Sequence, residues 1–171
     1  MTTHPQPQSK PTYRLGVFAL VRQQDKVLLV RPHKLLLPGG PQSLPGDIMA
    51  ETEPGLSVVE STLRRHLLSQ VGIAVSDFRL VGSHISRSGR PEQPTLRMNL
   101  IFGTEYCSGI LNPQPDTFKS ALWIPQAQLI ENVPEWLRSA LHELSLSAPP
   151  VPPQSNEGGG LSLFGRRRNT G

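Results

Sequence analysis

The chain of 171 residues, 36% of them hydrophobic, is long enough to bury the core of one domain and too short for several. Its formal charge of +4 comes from 17 basic and 13 acidic residues, with Arg166, Arg167 and Arg168 at the C-terminal end, so the body lacks the basic footprint of a nucleic-acid-binding domain. The single cysteine, Cys107, excludes an internal disulfide or thiolate cluster and reads as a buried packing residue, and no apolar run reaches membrane-span length, which predicts a soluble, cytoplasmic protein.

Residues 1–12, MTTHPQPQSKPT, lack the apolar stretch of a secretory signal and are expected to be disordered. Residues 13–21, YRLGVFALV, and 26–31, KVLLVR, are apolar and β-prone, and the polar stretch from Arg22 to Asp25 predicts a hairpin between them. Pro-Gly pairs beginning at 38, 45 and 54 interrupt regular structure, so 38–55 reads as a long loop. Ser57 stands at the N-cap position of a helix, and Val59, Leu63 and Leu67 recur every four residues as its apolar stripe, up to a stop near Gly72. The polar side carries Glu60, Arg64, His66, Ser69 and Gln70, with Glu60 and Arg64 at the spacing of a helical ion pair. Residues 78–86 and 95–106 read as two further strands, joined by a Gly- and Pro-containing turn, and 121–124 as a short one. Pro134 opens a last amphipathic helix whose buried side is Trp136, Leu137, Ala140, Leu141 and Leu144. From Pro149 onward the composition, PPVPPQSNEGGG, cannot offset chain entropy by burial. The domain is therefore expected over 13–146, with a disordered, basic-ended tail over 147–171.

The hairpin, Leu37-Pro38-Gly39-Gly40, the helix closing on Arg65, Leu67, Val71, Gly72 and Ile73, and the later Trp123-Ile124-Pro125 resemble the Nudix hydrolase superfamily over residues 13–145. The resemblance implies an α/β (α+β) fold, a mixed β-sheet sandwiched between helices, and hydrolysis of a nucleoside diphosphate linked to another group. It also implies Mg²⁺ or Mn²⁺, because such hydrolysis uses divalent ions to neutralise phosphate oxygens and activate water, and hard ions take carboxylate oxygens. The superfamily box reads GxxxxxE, seven residues, then REUxEExGU, and it places three glutamates on one helix face. Those three positions fall here on His66, Ser69 and Gln70, none of which carries negative charge. His66 suits zinc better than magnesium, and neither a cysteine nor a second nearby histidine completes a tetrahedral set. Ser69 and Gln70 are neutral donors, able to meet phosphate oxygens or water.

The middle of the box is altered too. Asp47 falls one residue beyond the place of the first acid, and seventeen residues rather than seven separate it from Arg65. Alternatively, Glu53-Pro54-Gly55-Leu56-Ser57 stands for the usual E-x-G-E-S, with leucine in place of its acid. Both alignments are open from the sequence. If chemistry survives, Asp47, Glu53 and Glu60 are the candidate catalytic carboxylates, with Glu51 in the same loop, and Asp47, Glu60 and Glu105 are the candidate metal ligands. Gly39, Gly40, Arg65, His66, Ser69 and Gln70 are the candidate ligand-binding residues. Arg65 matches the arginine that orients a glutamate in the superfamily; with that partner gone, its planar fork is available to a ligand phosphate. Arg14, Arg31, His33 and Lys34 lie near the expected cleft.

The leading expectation is thus a catalytically degenerate Nudix domain that binds a phosphorylated small molecule, a nucleotide or a protein partner with little or no hydrolysis. The alternatives are an active metal-dependent hydrolase using displaced carboxylates, and an accessory protein of DNA metabolism. The last rests on Leu161-Ser162-Leu163-Phe164, similar to the Gln-Leu-Ser/Asp-Leu-Phe peptide that docks on the bacterial sliding clamp, with Gly160 in place of the glutamine. Leu161, Leu163 and Phe164 would fill a hydrophobic pocket from a flexible tether. No membrane partner is expected.

Overall fold

The computed structural model describes residues 12–49, 55–90, 93–129 and 133–146. Strands β1 (Thr12–Gln23) and β2 (Lys26–Pro32) form the expected hairpin, with Gln24 in the left-handed region at φ 56°. The two strands are joined only beside the turn, Arg22 to Val27 and Gln23 to Lys26. Beyond that point β3 (Gly46–Ile48) takes the place beside β1, pairing antiparallel with Gly16 to Phe18. Residues 38–49 are therefore not all loop, as the Pro-Gly breaks had suggested: β3 and a bridge between Ser43 and Val30 lie within them. Gly46 explains the reversal. A side chain there would overlap the Val17 carbonyl and the Phe18 backbone, so the residue that signals a break is the one that admits the close approach.

Helix α1 (Val58–His66) continues into a wider π-type turn over Leu67–Val71, in which the Gly72 amide donates to the Leu67 carbonyl at 2.9 Å. Gly72 closes it at φ 88°. Ser57 precedes the helix, but its backbone is left-handed and its hydroxyl makes no cap, which corrects the expected N-cap. A capping side chain reaches the first-turn amides from extended backbone, and φ 52° is not that. Strands β4 (Ile73–Val75), β5 (Arg79–Arg90), β6 (Gln93–Gly109) and β7 (Phe118–Pro125) follow, then short α2 (Gln126–Leu129) and α3 (Glu135–Leu146).

The sheet runs β4-β6-β1-β2-β7, with β3 added to β1 and β5 to β6. The β1–β6 pair is parallel and the other ladders are antiparallel, which makes the sheet mixed. Alternation along β1 divides the core in two. Val17, Ala19 and Val21 face α1, where they meet Leu63, Leu67 and Val71. Phe18 and Leu20 face α3, where they meet Leu137, Ala140, Leu141 and Leu144. The expected sheet between helices is what these two apolar faces require.

Cys107, expected to be buried, is exposed. It falls where the β4–β6 register slips, between Ser108 opposite Ala74 and Tyr106 opposite Val75, so it is the extra residue of a bulge. No helix among the described residues is long and apolar enough to cross a membrane.

Candidate functional site

The helix that would carry the box acids packs its apolar stripe into the sheet, and this fixes what the neighbouring positions meet. His66 is half-buried at the end of α1, and its Nδ1 is buried without a hydrogen-bond partner. Burial pushes its pKa below the ordinary 6.5; the Asp47 carboxylate opposes that shift and the Arg65 guanidinium adds to it. The protein thus brings Asp47, on β3, into electrostatic range of His66 on the helix. Asp47 Oδ1 also accepts the Ile48 amide at 2.7 Å, which holds the carboxylate against its own strand.

Ser69 and Gln70 lie in the π-type turn, which carries an extra residue and so departs from the even helix face implied by sequence spacing. The Ser69 hydroxyl donates back to the Arg65 carbonyl at 2.7 Å. The turn's last carbonyls are taken by the loop that follows β6: Asn112 N donates to Val71 at 2.8 Å, Gln114 N to Gln70 at 2.8 Å and Gln114 Nε2 to Ser69 at 3.2 Å. This segment therefore has its backbone polar groups engaged by protein.

The remaining candidates are dispersed. Glu105, on β6, accepts from Arg22 Nε at 2.9 Å and forms a partly buried ion pair with its register partner on β1. Glu60 is in the first turn of α1. Its expected pairing with Arg64 does not form: Arg64 donates to the Val75 carbonyl at 2.7 Å and to Asp77 at 3.1 Å, and stacks 5.1 Å from the Phe78 ring centre. The strand-side carbonyl and aromatic face offer Arg64 more than a solvated helix neighbour does. Arg65 is exposed. Gly39 lies against Pro134 before α3, and Trp136 Nε1 donates to the Pro38 carbonyl at 3.0 Å, so the first Leu-Pro-Gly is anchored to α3. Gly40 has nothing within 4 Å of where a Cβ would stand. Glu51, Glu53 and the Leu161, Leu163 and Phe164 peptide lie outside the described residues.

A cavity of about 250 Å³ opens beside Asp47, between the end of β2, β3 and the start of β7. Phe18, Leu44 and Phe118 give it an apolar floor, and Asp47, Lys34 and Asp116 give it charged walls. His33 is fixed at its edge by a 2.7 Å contact between Nε2 and the Pro115 carbonyl. Sequence reasoning missed Asp116 and Thr117 here, and it did not single out the second Leu-Pro-Gly, which leads into β3 beside β1. The signal was present: Leu37-Pro38-Gly39 is repeated as Leu44-Pro45-Gly46, and the second copy enters β3.

These donors do not suit a hard divalent ion. Among the described residues no three His, Cys, Asp or Glu side chains come close enough to share one. Asp47 stands with an imidazole rather than a second carboxylate, and Glu105 is committed to Arg22.

No family model matches the sequence, and no curated protein matches it. Solved structures do. A MutT Nudix hydrolase from Burkholderia pseudomallei superposes with a TM-score of 0.59 at 20% identity, over 78% of this chain and 98% of that one. A MutT protein from Methanosarcina mazei Go1 gives 0.58 at 16% identity, over 80% and 96%. The Nudix domain of Shewanella oneidensis NrtR, solved with ADP ribose, gives 0.54 at 15% identity, over 84% and 90%. The two-faced mixed sheet, with its box-like helix on one side and α3 on the other, is the Nudix fold.

Proposed function

We propose that this Nudix-fold domain binds a phosphorylated small molecule or nucleotide beside α1 with little or no hydrolysis. The observation that carries the reading is the helix end itself. The positions of the three box glutamates hold an imidazole, a hydroxyl turned back on its own backbone and an amide, with Asp47 the acid that reaches the imidazole. A lone carboxylate does not assemble the divalent ions that hydrolysis of a diphosphate requires. Arg65, exposed and next to His66, supplies a cationic fork for phosphate without a metal. The adjacent cavity, with apolar floor and few charged groups, has the character of a small-molecule site.

ADP ribose, present in the complex of the Shewanella oneidensis domain, is the first ligand to try. Titration calorimetry in EDTA should detect binding, and Arg65→Ala should weaken it about tenfold, the worth of one charge-assisted hydrogen bond. Incubation with a nucleotide panel and Mg²⁺ or Mn²⁺ should release neither phosphate nor nucleotide. Turnover that disappears in Asp47→Ala or Glu53→Ala would replace this reading with that of a hydrolase using displaced carboxylates.

A further inference from the structure

Strand β5 forms a border of the sheet, pairing with β6 alone. One of its faces is filled by α3: Val81 and Ile101 are core residues there, and a Cβ on Gly82 would stand 3.6 Å from Ala140. On the other face, Ser83 lies beside Leu100 and Val17, Ile85 beside Met98 and Leu15, and Arg87 beside Leu96 and Tyr13. Val17 packs against α1, so alternation assigns these rows to the α1 side of the sheet. The helix stops short of β5, however. Tyr13, Ile85 and Met98 are 59, 58 and 39% exposed, and Leu80, the register partner of Phe102, is 54% exposed.

A sheet face turned to water ordinarily carries polar side chains, and this one carries an apolar strip. Its exposed area is roughly 500 Å², the size at which surface patches mark contacts with other molecules. Arg87 is the one charged residue in these rows, so the strip does not select a partner of strong opposite charge. A second copy of the same chain suits it. When that copy is turned so that the strands run antiparallel, Arg87 of each lies over the Leu80 end of the other. The two arginines are then about 20 Å apart, twice the Debye length of about 10 Å at 0.1 M salt. The acid beside that end is Asp77, whose carboxylate is fully exposed although Arg64 donates to it at 3.1 Å. Each arginine therefore approaches a carboxylate rather than a like charge.

We propose that the protein is a two-fold dimer, in which the strips built on Leu80, Ile85 and Met98 in two copies pack face to face beside α1. Two sheets packed this way stand about 10 Å apart with their side chains interdigitated. With the polar rim around the strip, the contact approaches the roughly 800 Å² that each partner buries in a standard interface. The contact is isologous, each copy offering the other the same residues, so it closes at two. It draws on neither Arg65 nor Asp47, and it stands or falls apart from the binding reading above.

The test is the mass of the full chain in solution, by light scattering after size exclusion and by sedimentation, from about 1 to about 100 µM. A particle of two chains is expected at the upper end, with Ile85 and Met98 methyl NMR signals that shift with concentration. Ile85→Lys and Met98→Lys, both at exposed positions, should each weaken association at least tenfold while keeping the parent's circular dichroism spectrum. Leu122→Lys, at a position 55% exposed on β7 at the opposite border, should leave association unchanged. A single chain at every concentration overturns the proposal, as does a dimer that survives both lysine variants at β5 and β6 or is lost in Leu122→Lys. A full chain that pairs only after Leu161, Leu163 and Phe164 are changed to serine also overturns it, by giving the strip to the chain's own tail.

Discussion

His66 sits between opposing influences, and its titration reports on them. Its pKa lies below 6.5 because burial disfavours the imidazolium, with Arg65 adding to the effect and Asp47 resisting it. The unfolded chain therefore takes up a proton near pH 6.5 while the folded imidazole still refuses one. Stability falls as pH drops through that interval, then levels off below the folded pKa. Two-dimensional NMR should show His66 titrating below 6.5, lower still in Asp47→Asn and higher in Arg65→Ala; a midpoint indifferent to Asp47→Asn would separate the two residues. The same site allows a gain-of-function test. Introducing acids with His66→Glu, Ser69→Glu and Gln70→Glu should strengthen Mn²⁺ binding, measured by paramagnetic resonance, relative to the parent chain. None of this residue pairing was legible in the sequence. Asp47 was a candidate, but its encounter with His66 depends on β3 folding beside β1, and no local spacing encodes that. The Ser69 hydroxyl was equally opaque, since a serine that bonds backwards to its own helix looks the same as one facing a ligand.

At the scale of elements, apolar periodicity worked wherever one face is buried. The β1–β2 hairpin, the α1 stripe of Leu63 and Leu67, and α3 with Leu137, Ala140, Leu141 and Leu144 all follow from it. It failed for short pieces whose partners are distant. The three-residue β3 and β4 carry too few alternations to register, and the π-type turn depends on the loop that caps it. Because Gly46 lets β3 lie against β1, Gly46→Ala should cost more than about 1 kcal/mol in urea unfolding, well above a surface Gly-to-Ala change. By contrast, Glu105→Gln removes a partly exposed ion pair and should cost at most about 1 kcal/mol. If Glu105 serves only to hold β6 to β1, ADP ribose binding in that variant should match the parent.

For the whole molecule, the two core clusters depend on different helices, and α3 supplies four buried residues of one of them. A chain ended after Leu146 should melt at the same temperature as the full chain, whereas one ended after Leu129 should lose its cooperative transition, both read by circular dichroism. The fold as a whole was readable because order and burial pattern are robust to changes at the site. What packs α1 against the sheet is its stripe of Leu63 and Leu67, which does not depend on the residues of its polar side.

The long parallel ladder between β1 and β6 governs how the protein comes into being. Arg22 and Glu105, which close it, are 83 positions apart. During synthesis β1 leaves the ribosome with its hairpin mate attached only near the turn, and its other edge must wait until β6, 83 positions later at the Arg22–Glu105 pair, has emerged. Such distant pairing makes for slow maturation and a nascent chain open to wrong partners, so chaperone dependence should track the delay before β6 arrives.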